Sequence, residues 1–194
     1  MGKKIGITPD TILDVAQGLL QTRGYNGFSY RDIADAVGIR TASLHYHFPG
    51  KADLGVALAA RYRRRFNEAL EDISAQTDDA RRRLERFADL FRTTLDVDGR
   101  LCLCGMLGAE IATLPGPVAA EVNGFFRDNE AWLTNVIAAG RNDGTVRSGT
   151  TAVDQARLFL AALEGAMILA RATGDGGRFD AVAGAVLGQM EARI

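Results

Sequence analysis

Side chains that can hydrogen-bond to DNA are concentrated in one short stretch of this sequence. An arginine can pair with O6 and N7 of a guanine, and hydroxyl, imidazole and ammonium groups donate to phosphate oxygens. We therefore expect base contacts from Arg40, Thr41 and Ser43, and phosphate contacts from the groups that flank them. By residue type, the candidate DNA-binding residues are Arg40, Thr41, Ser43, Tyr46, His47 and Lys51.

These residues lie on, or directly beside, the second of two predicted short helices that are joined by a tight turn. Ser29 and Asp32 have the spacing of a helix N-cap with an acidic residue at the third helical position, so a helix is predicted to begin there. Gly38 ends that helix, and a second one is predicted over residues 41–46. Such a pair is a helix-turn-helix, whose second helix enters the major groove of DNA. The alternative is two small helices on a globular surface.

Charge is distributed unevenly along the chain. The first 65 of the 194 residues hold ten Lys or Arg and five Asp, whereas the other 129 hold 13 basic and 19 acidic residues. A basic first third on an acidic remainder favours contact between one end of the molecule and a polyanion. The alternative is a chance asymmetry of solvated faces.

Periodic apolar residues predict helices throughout the chain. Stripes with helical spacing run over residues 10–22, 52–75, 78–97 and 117–139, and a last one begins near residue 178. The four prolines stand where helices begin or connections fall, and no segment alternates in the manner of a β-strand. The sequence predicts an all-α fold of about nine helices, with a three-helix DNA-binding head over residues 1–51 and a second helical domain over residues 52–194.

The stretch FSYRDIADAVGIRTASLHYHFPGKADL, residues 28–54, resembles the DNA-binding signature of the tetracycline-repressor (TetR) family. The shared pattern begins with a Ser or Thr, then three variable residues and Ile-Ala. A turn of the form hydrophobic-Gly-hydrophobic comes next. After the turn the pattern continues with a small residue and then a Ser or Thr. It ends with a helix end rich in aromatic residues and a lysine. The resemblance covers roughly residues 8–66, and the remainder is similar to the family only in length and helical character.

The resemblance implies the same DNA-facing roles and adds Ser29, which would cap the first short helix and contact a phosphate. It places Ala42 where the backbone comes close to DNA. It also implies that Leu44 and Phe48 belong to the core. One position departs from the family pattern, because the usual Leu-Tyr becomes Leu44-His45 and the tyrosine is displaced to Tyr46. The phosphate contact at this point therefore falls to either His45 or Tyr46.

The resemblance further implies what the second domain does. It would surround the cavity for a small-molecule effector and form a homodimer through the last two helices. Two recognition helices would then lie about one DNA turn apart, ~34 Å. The implied protein is a ligand-responsive transcriptional regulator, by family precedent a repressor that its effector releases from a palindromic double-stranded operator. Residues 152–172 are apolar almost all round, as burial on more than one side requires.

Candidate effector contacts include polar residues on apolar faces, because burying an unpaired polar group costs several kcal/mol. They also include the aromatic residues that would line a cavity. For each, the alternative is an internally satisfied group or ordinary core, and for Glu164 also a dimer contact. The candidates are Tyr62, Phe66, Phe87, Phe91, Cys102, Met106, Glu110, Phe125, Asn129, Trp132, Phe159 and Glu164.

The cysteine pair allows two interpretations. Cys102 and Cys104 are either inert buried residues or a thiol sensor for an oxidant or electrophile, and a sensor requires a lowered thiol pKa. Such a sensor, or a small-molecule carrier on the same scaffold, is the alternative function.

Other functional classes find little support in the sequence. An enzyme is not expected, since the two histidines, His45 and His47, both lie in the DNA-binding stretch and leave no base for a catalytic triad. No metal site, cofactor, membrane span or signal peptide is expected, and the protein is predicted to be cytoplasmic.

Overall fold

The computed structural model describes residues 8–147 and 149–191. Residues 1–7 of the predicted DNA-binding domain and residues 192–194 of the second domain lie outside these ranges, as does residue 148. Within them the chain forms nine α-helices and no strand beyond one isolated bridge between Val146 and Glu191, which confirms the all-α prediction. The helices are α1 (Pro9–Arg23), α2 (Tyr30–Val37), α3 (Thr41–His47), α4 (Lys51–Gln76), α5 (Ala80–Asp96), α6 (Leu103–Ala109), α7 (Gly116–Asn142), α8 (Ala152–Thr173) and α9 (Gly177–Met190), with a 3-10 turn at Ile111–Thr113.

Helices α1, α2 and α3, which we call the head, pack around a small apolar core. The Thr8 hydroxyl accepts a hydrogen bond from the Thr11 N–H and so caps α1, and Pro9 follows in the first turn, where its missing N–H costs nothing. Ile12, Ile33 and Leu44, one from each helix, are almost completely buried. The head therefore has its own hydrophobic contacts, although α4 closes its underside.

Helix α4 joins the head to helices α5–α9. We call α4–α9 the body. Its 26 residues extend over about 39 Å. It is continuous across the predicted domain boundary at residues 51 and 52, so a movement of its body end can be transmitted to the head. In the body, α7 packs against α4, α5, α6 and α8, and α9 lies against α5 and α8. None of the described helices has both the length and the apolar character needed to cross a membrane.

Two features of the body differ from the sequence-based expectation. The short helix α6 was not resolved by apolar periodicity, because its seven residues include two glycines and make less than two full turns of regular stripe. Helix α8, expected to be buried on more than one side, leaves Leu158, Ile168 and Leu169 more than half exposed. Helix α8 thus has more apolar surface than the packing of a single chain buries.

Candidate DNA-binding face and effector pocket

The start of α2 and the turn between α2 and α3 are formed by the residues that predicted them. The Ser29 hydroxyl accepts from the Asp32 N–H at 3.4 Å, and the Asp32 carboxylate accepts from the Ser29 N–H at 2.8 Å, which is a complete capping box. The Ser29 hydroxyl also donates to this carboxylate, and these bonds lower the pKa of Asp32. Gly38 has φ +77°, a left-handed conformation that a glycine adopts without strain. The sharp turn that orients α3 is therefore fixed locally.

Helix α3 has one buried side and one open side. Leu44 faces the core, whereas Ala42, Ser43 and Tyr46 are exposed, and Tyr46 is 85% exposed. Arg40 occupies the N-cap position without a side-chain capping bond, so its exposed guanidinium is available to a partner. The open side of α3 carries the Arg40 guanidinium and the hydroxyl groups of Ser43 and Tyr46. The small residue Ala42 lies between Arg40 and Ser43. Thr41 and His47 are partly buried at its margins.

The structure distinguishes His45 from Tyr46. His45 Nδ1 donates to the Pro49 carbonyl at 3.0 Å, and its ring lies 4.7 Å from the ring of Tyr30, which itself donates to the carbonyls of Phe48 and Gly50. His45 thus helps to hold the chain between α3 and α4. Tyr46 is the freely exposed donor of the two.

Lys51 is placed differently from its predicted role as a phosphate contact. Its ammonium donates to the Phe28 carbonyl and lies 4.9 Å and 4.5 Å from the ring centroids of Tyr25 and Phe28. Burial lowers the pKa of Lys51. The ammonium is therefore engaged within the head, where it ties the start of α4 to the residue that precedes Ser29.

In the body, a pocket of about 320 Å³ lies between α6, α7 and α8, and we call it the α6–α8 pocket. Glu130 and Arg157, which form an ion pair at 3.5 Å, line it together with the partly exposed side chain of Ile168. The remaining lining residues are Gly105, Gly108, Phe126, Leu160, Ala161 and Glu164. The pocket combines apolar walls with one carboxyl group that has no cationic partner among the described residues.

That carboxyl group belongs to Glu164. Its Oε1 is shielded from solvent and has no hydrogen-bond partner, while the residue as a whole keeps partial exposure. Burial raises the pKa of Glu164 to about 7. A Cβ added at Gly105 would collide with the Glu164 carboxylate, so the glycine leaves the space that this group occupies. Of the predicted effector contacts, all of which the structure describes, Glu164 alone lines this pocket.

The predicted aromatic contacts form a closed core instead. The Phe66 ring lies 5.8, 5.7 and 5.1 Å from the rings of Phe87, Phe91 and Phe125, and Phe159 lies 6.0 Å from Phe87. These side chains fill the space between α4, α5, α7 and α8 with each other. Phe126, the neighbour of Phe125 that was not among the candidate contacts, is the aromatic residue that lines the pocket.

Four further candidates have other surroundings. Asn129 donates to the Phe125 carbonyl at 2.8 Å, although its Oδ1 is buried without a partner, and Trp132 donates to the Ser74 hydroxyl at 3.0 Å. Tyr62 lines a second cavity, of about 210 Å³, between α1, α4 and α5. Met106 Sδ lies 4.0 Å from the Arg171 guanidinium. Asn129 and Trp132 therefore have internal hydrogen bonds, which was the alternative interpretation of the polar candidates.

Glu110 is not an effector contact in this structure. Its carboxylate accepts hydrogen bonds from the Tyr25 N–H at 2.5 Å and from the Asn26 N–H and Nδ2 at 3.3 Å. Tyr25 and Asn26 connect α1 to α2, so Glu110 binds the head to the C-terminal end of α6. The sequence showed a single charge in an apolar segment, but not that its partners lie 85 residues earlier in the chain.

Two arginines reinforce this junction and were not among the candidate residues. Arg171 of α8 donates to the carbonyls of Gln21 and Thr22 at the end of α1. Arg61 of α4 is buried and pairs with Asp14 of α1 at 2.9 Å, so it does not belong to a solvated face. Arg61 follows Leu58 by three residues and therefore shares its helix face, a signal that could have identified it from the sequence.

The two cysteines are buried beside the pocket. Cys102 Sγ accepts from the Gly105 N–H at 3.4 Å and caps α6. Burial, and then the nearby Glu164 charge, raise the pKa of both thiols well above the usual value. A sensor thiol needs the opposite shift, so the geometry favours the inert interpretation. In the described ranges, no group of three or more His, Cys, Asp or Glu residues is arranged to hold a metal ion.

Comparison with known proteins identifies the family. Residues 12–58 match the family model for bacterial regulatory proteins of the tetR family, and residues 80–186 match the tetracyclin repressor-like C-terminal domain. A TetR-family regulator of known structure from Agrobacterium tumefaciens is 36% identical, with a TM-score of 0.91 and coverage of 94% of this chain and 97% of that one. A TetR regulator from Legionella pneumophila is 31% identical, with a TM-score of 0.88 and coverage of 97% and 100%.

A curated relative agrees with these matches. The HTH-type transcriptional repressor KstR2 of Rhodococcus jostii (strain RHA1) is 30% identical over 71% of this chain and 67% of that protein. Both family models fall on the elements described above, the first on the head and the start of α4 and the second on α5–α9. The chain therefore belongs to the tetracycline-repressor family, whose members are ligand-responsive, DNA-binding transcriptional regulators.

Proposed function

We propose that the protein is a repressor that binds a palindromic operator as a homodimer and dissociates from it when a small-molecule effector fills the α6–α8 pocket. Residues 1–51 bind the operator, and residues 52–194 hold the effector and the second subunit. The observation that carries the proposal is the open side of α3, which presents Arg40, Ser43 and Tyr46 from a rigid turn. The protein acts in the cytoplasm, where its operator DNA lies, and the proposal includes no enzymatic reaction and no cofactor.

The DNA contacts are divided by position on α3. Arg40 and Ser43 lie near the N-terminal end of the helix, which is the end that contacts base edges in a helix-turn-helix. Tyr46 lies one turn later and donates its hydroxyl to a phosphate, while Ala42 allows the backbone to approach the groove. The capping box at Ser29 fixes the start of α2, and the left-handed Gly38 at its end sets the turn that leads into α3, before DNA is bound.

The dimer is formed through the exposed faces of α8 and α9. Leu158 and Leu169 are 57% and 55% exposed on α8, and Ile168, which is 54% exposed, also lines the α6–α8 pocket. A Cβ added at Gly165 or Gly184 would meet no atom within 4 Å, so these backbones are open to close approach by another helix. A second copy that covers this face buries the apolar excess of α8. Replacing Leu169 by Arg is expected to produce a monomer in sedimentation velocity, and a dimer of unchanged stability would contradict the assignment.

Helix α6 couples the pocket to the head. Gly105 and Gly108 form one wall of the pocket, and Glu110 at the end of the same helix holds Tyr25 and Asn26. An effector that displaces α6 therefore moves the residues that connect α1 to α2. Because a ligand shifts a conformational equilibrium only by its difference in affinity for the two states, the effector must bind more tightly to the displaced form.

Fluorescence anisotropy with DNA that flanks the gene of this protein tests the proposal. Wild-type protein is expected to bind one symmetric segment tightly, with an affinity that falls as salt concentration rises. Tyr46→Ala is expected to weaken this binding at least tenfold, whereas Asn135→Ala, a change at an exposed position of α7, leaves it unchanged. Equal weak binding to every fragment, indifferent to Tyr46→Ala, would contradict the proposal for this DNA.

A further inference from the structure

The α6–α8 pocket has a chemical bias toward a particular class of ligand. Its walls are apolar, with the Phe126 ring on one side and Leu160 and Ala161 on another. Gly105 and Gly108 contribute backbone without side chains, so a ligand can approach α6 closely. A ligand in this space replaces water next to mostly apolar atoms. Any polar group of the ligand must form a hydrogen bond or ion pair with a polar group of the pocket.

The Cys102 thiol interacts with the Glu164 carboxyl and opposes the rise of its pKa, but one oxygen of that carboxyl remains unsatisfied. Its Oε1 is shielded from solvent and has no hydrogen-bond partner. The titratable groups that interact with the Glu164 charge are Tyr62 of α4 and Cys102 and Cys104 at the start of α6, and none of them supplies a positive charge. Glu130 of α7 lines the same pocket and is also acidic.

Arg157 of α8, the basic residue that lines the pocket, pairs with Glu130 and Asp154. A buried carboxylate without a cation is unfavourable, and a ligand can correct this by bringing its own positive charge. The Phe126 ring, which lines the same pocket, adds a second favourable site for a cation, because the ring face carries negative charge. An anionic ligand meets repulsion from both groups.

We propose that this pocket binds a small apolar molecule that carries a protonated amine, with the ammonium group donating to Glu164 Oε1 and the apolar part lying against Phe126 and Leu160. The inference rests on the proposed function in that it names the class of effector for the same pocket. The proposed binding of the ligand does not require DNA. Glu164 acts here as the residue that selects a cation over a neutral or anionic analogue.

Isothermal titration calorimetry with three matched probes tests the inference. At pH 8, 2-phenylethylammonium is expected to bind at least tenfold more tightly than 2-phenylethanol, and 3-phenylpropanoate more weakly than either. Glu164→Gln is expected to abolish the preference for the ammonium probe. Asp89→Asn removes the same charge from an exposed position of α5 and is expected to retain it. Circular dichroism of both variants checks that they are folded.

Proton release gives a second readout that a merely structural role of Glu164 would not produce. Near pH 6.5 the carboxyl is mostly protonated in the free pocket, since burial raises its pKa to about 7. Binding of an ammonium group stabilises the carboxylate and so releases a proton, which makes the measured enthalpy depend on the ionisation enthalpy of the buffer. The thiol and phenol pKa values are raised out of this range, so the release is expected to disappear in Glu164→Gln.

The outcomes separate this inference from the proposed function. An ammonium probe that binds no better than 2-phenylethanol, that fails to bind at millimolar concentration, or that binds equally to Glu164→Gln overturns the inference. Adding the same probe to a protein–operator complex tests the proposed function instead. If the ammonium binds through Glu164 but does not release DNA, the ligand class stands and the assignment of this pocket as the effector site fails.

Discussion

Replacing Glu164 by Gln is expected to change how the stability of the protein depends on pH. The pKa of this carboxyl is raised from 4.5 to about 7 by burial, so the folded state holds its proton more tightly than the unfolded state does. Stability from this source is fully present below pH 4.5 and is lost as the pH rises through 7. Because one pH unit corresponds to about 1.4 kcal/mol, the ionised carboxyl destabilises the folded chain by about 3 kcal/mol at pH 8.

The variant lacks this titration. Its stability relative to wild type is therefore expected to be about 2–3 kcal/mol more favourable at pH 8 than at pH 5. The comparison between two pH values cancels any constant effect of the amide on packing.

Urea unfolding followed by circular dichroism measures the difference, at one fixed protein concentration because dimer stability depends on concentration. Asp89→Asn, an exposed change of equal charge, is expected to show no such difference. If wild type and Glu164→Gln differ by the same amount at both pH values, the carboxyl is not buried as described.

Three further predictions concern the junction, the recognition helix and the thiols. Glu110→Ala leaves the part-buried Tyr25 N–H at the head–body junction without a partner, which costs about 1–3 kcal/mol, so the melting temperature is expected to fall by about 2–4 °C for each kcal/mol. Glu68→Ala, which breaks an exposed ion pair, is expected to leave it nearly unchanged, and equal melting temperatures for the two variants would show that the junction contributes nothing. Tyr46→Phe removes one exposed hydroxyl and is expected to weaken operator binding about fivefold in anisotropy without altering the melting temperature; unchanged affinity would exclude a hydroxyl contact. Cys102 and Cys104 are expected to remain unmodified by an aromatic disulfide reagent at pH 7.5 until the protein is denatured, and rapid reaction of the native protein would restore the sensor interpretation.

The features that could be predicted from the sequence are those determined by neighbours along the chain. Ser29 and Asp32 are three residues apart and cap α2 as their spacing indicates, and Gly38 adopts the left-handed conformation that its position in the turn requires. The long stripes likewise predict α1, α4, α5, α7 and α9 to within a few residues. In these cases the energy that decides the structure comes from hydrogen bonds and packing within one or two turns.

The features that the sequence did not predict depend on partners that are distant along the chain. Glu110 was expected in a pocket because it is a lone charge in an apolar segment, and its actual partners, Tyr25 and Asn26, are contributed by another helix connection. An aromatic stripe is equally compatible with a cavity wall and with a closed core, so Phe66 and its neighbours could not be assigned by spacing. Lys51 was assigned to phosphate by its type, and only the folded head shows that its ammonium is engaged by Phe28.

Selection of bound sequences from a random library of DNA duplexes tests most directly whether α3 recognises an operator. A dimer that presents two copies of α3 is expected to enrich an inverted repeat whose half-sites are centred about one helical turn apart, ~34 Å. Arg40→Ala combined with Ser43→Ala is expected to lose this enrichment while retaining weak, salt-sensitive binding to DNA in general. If the wild-type protein enriches no sequence, or the double variant enriches the same repeat, then α3 does not read an operator and the central claim is wrong.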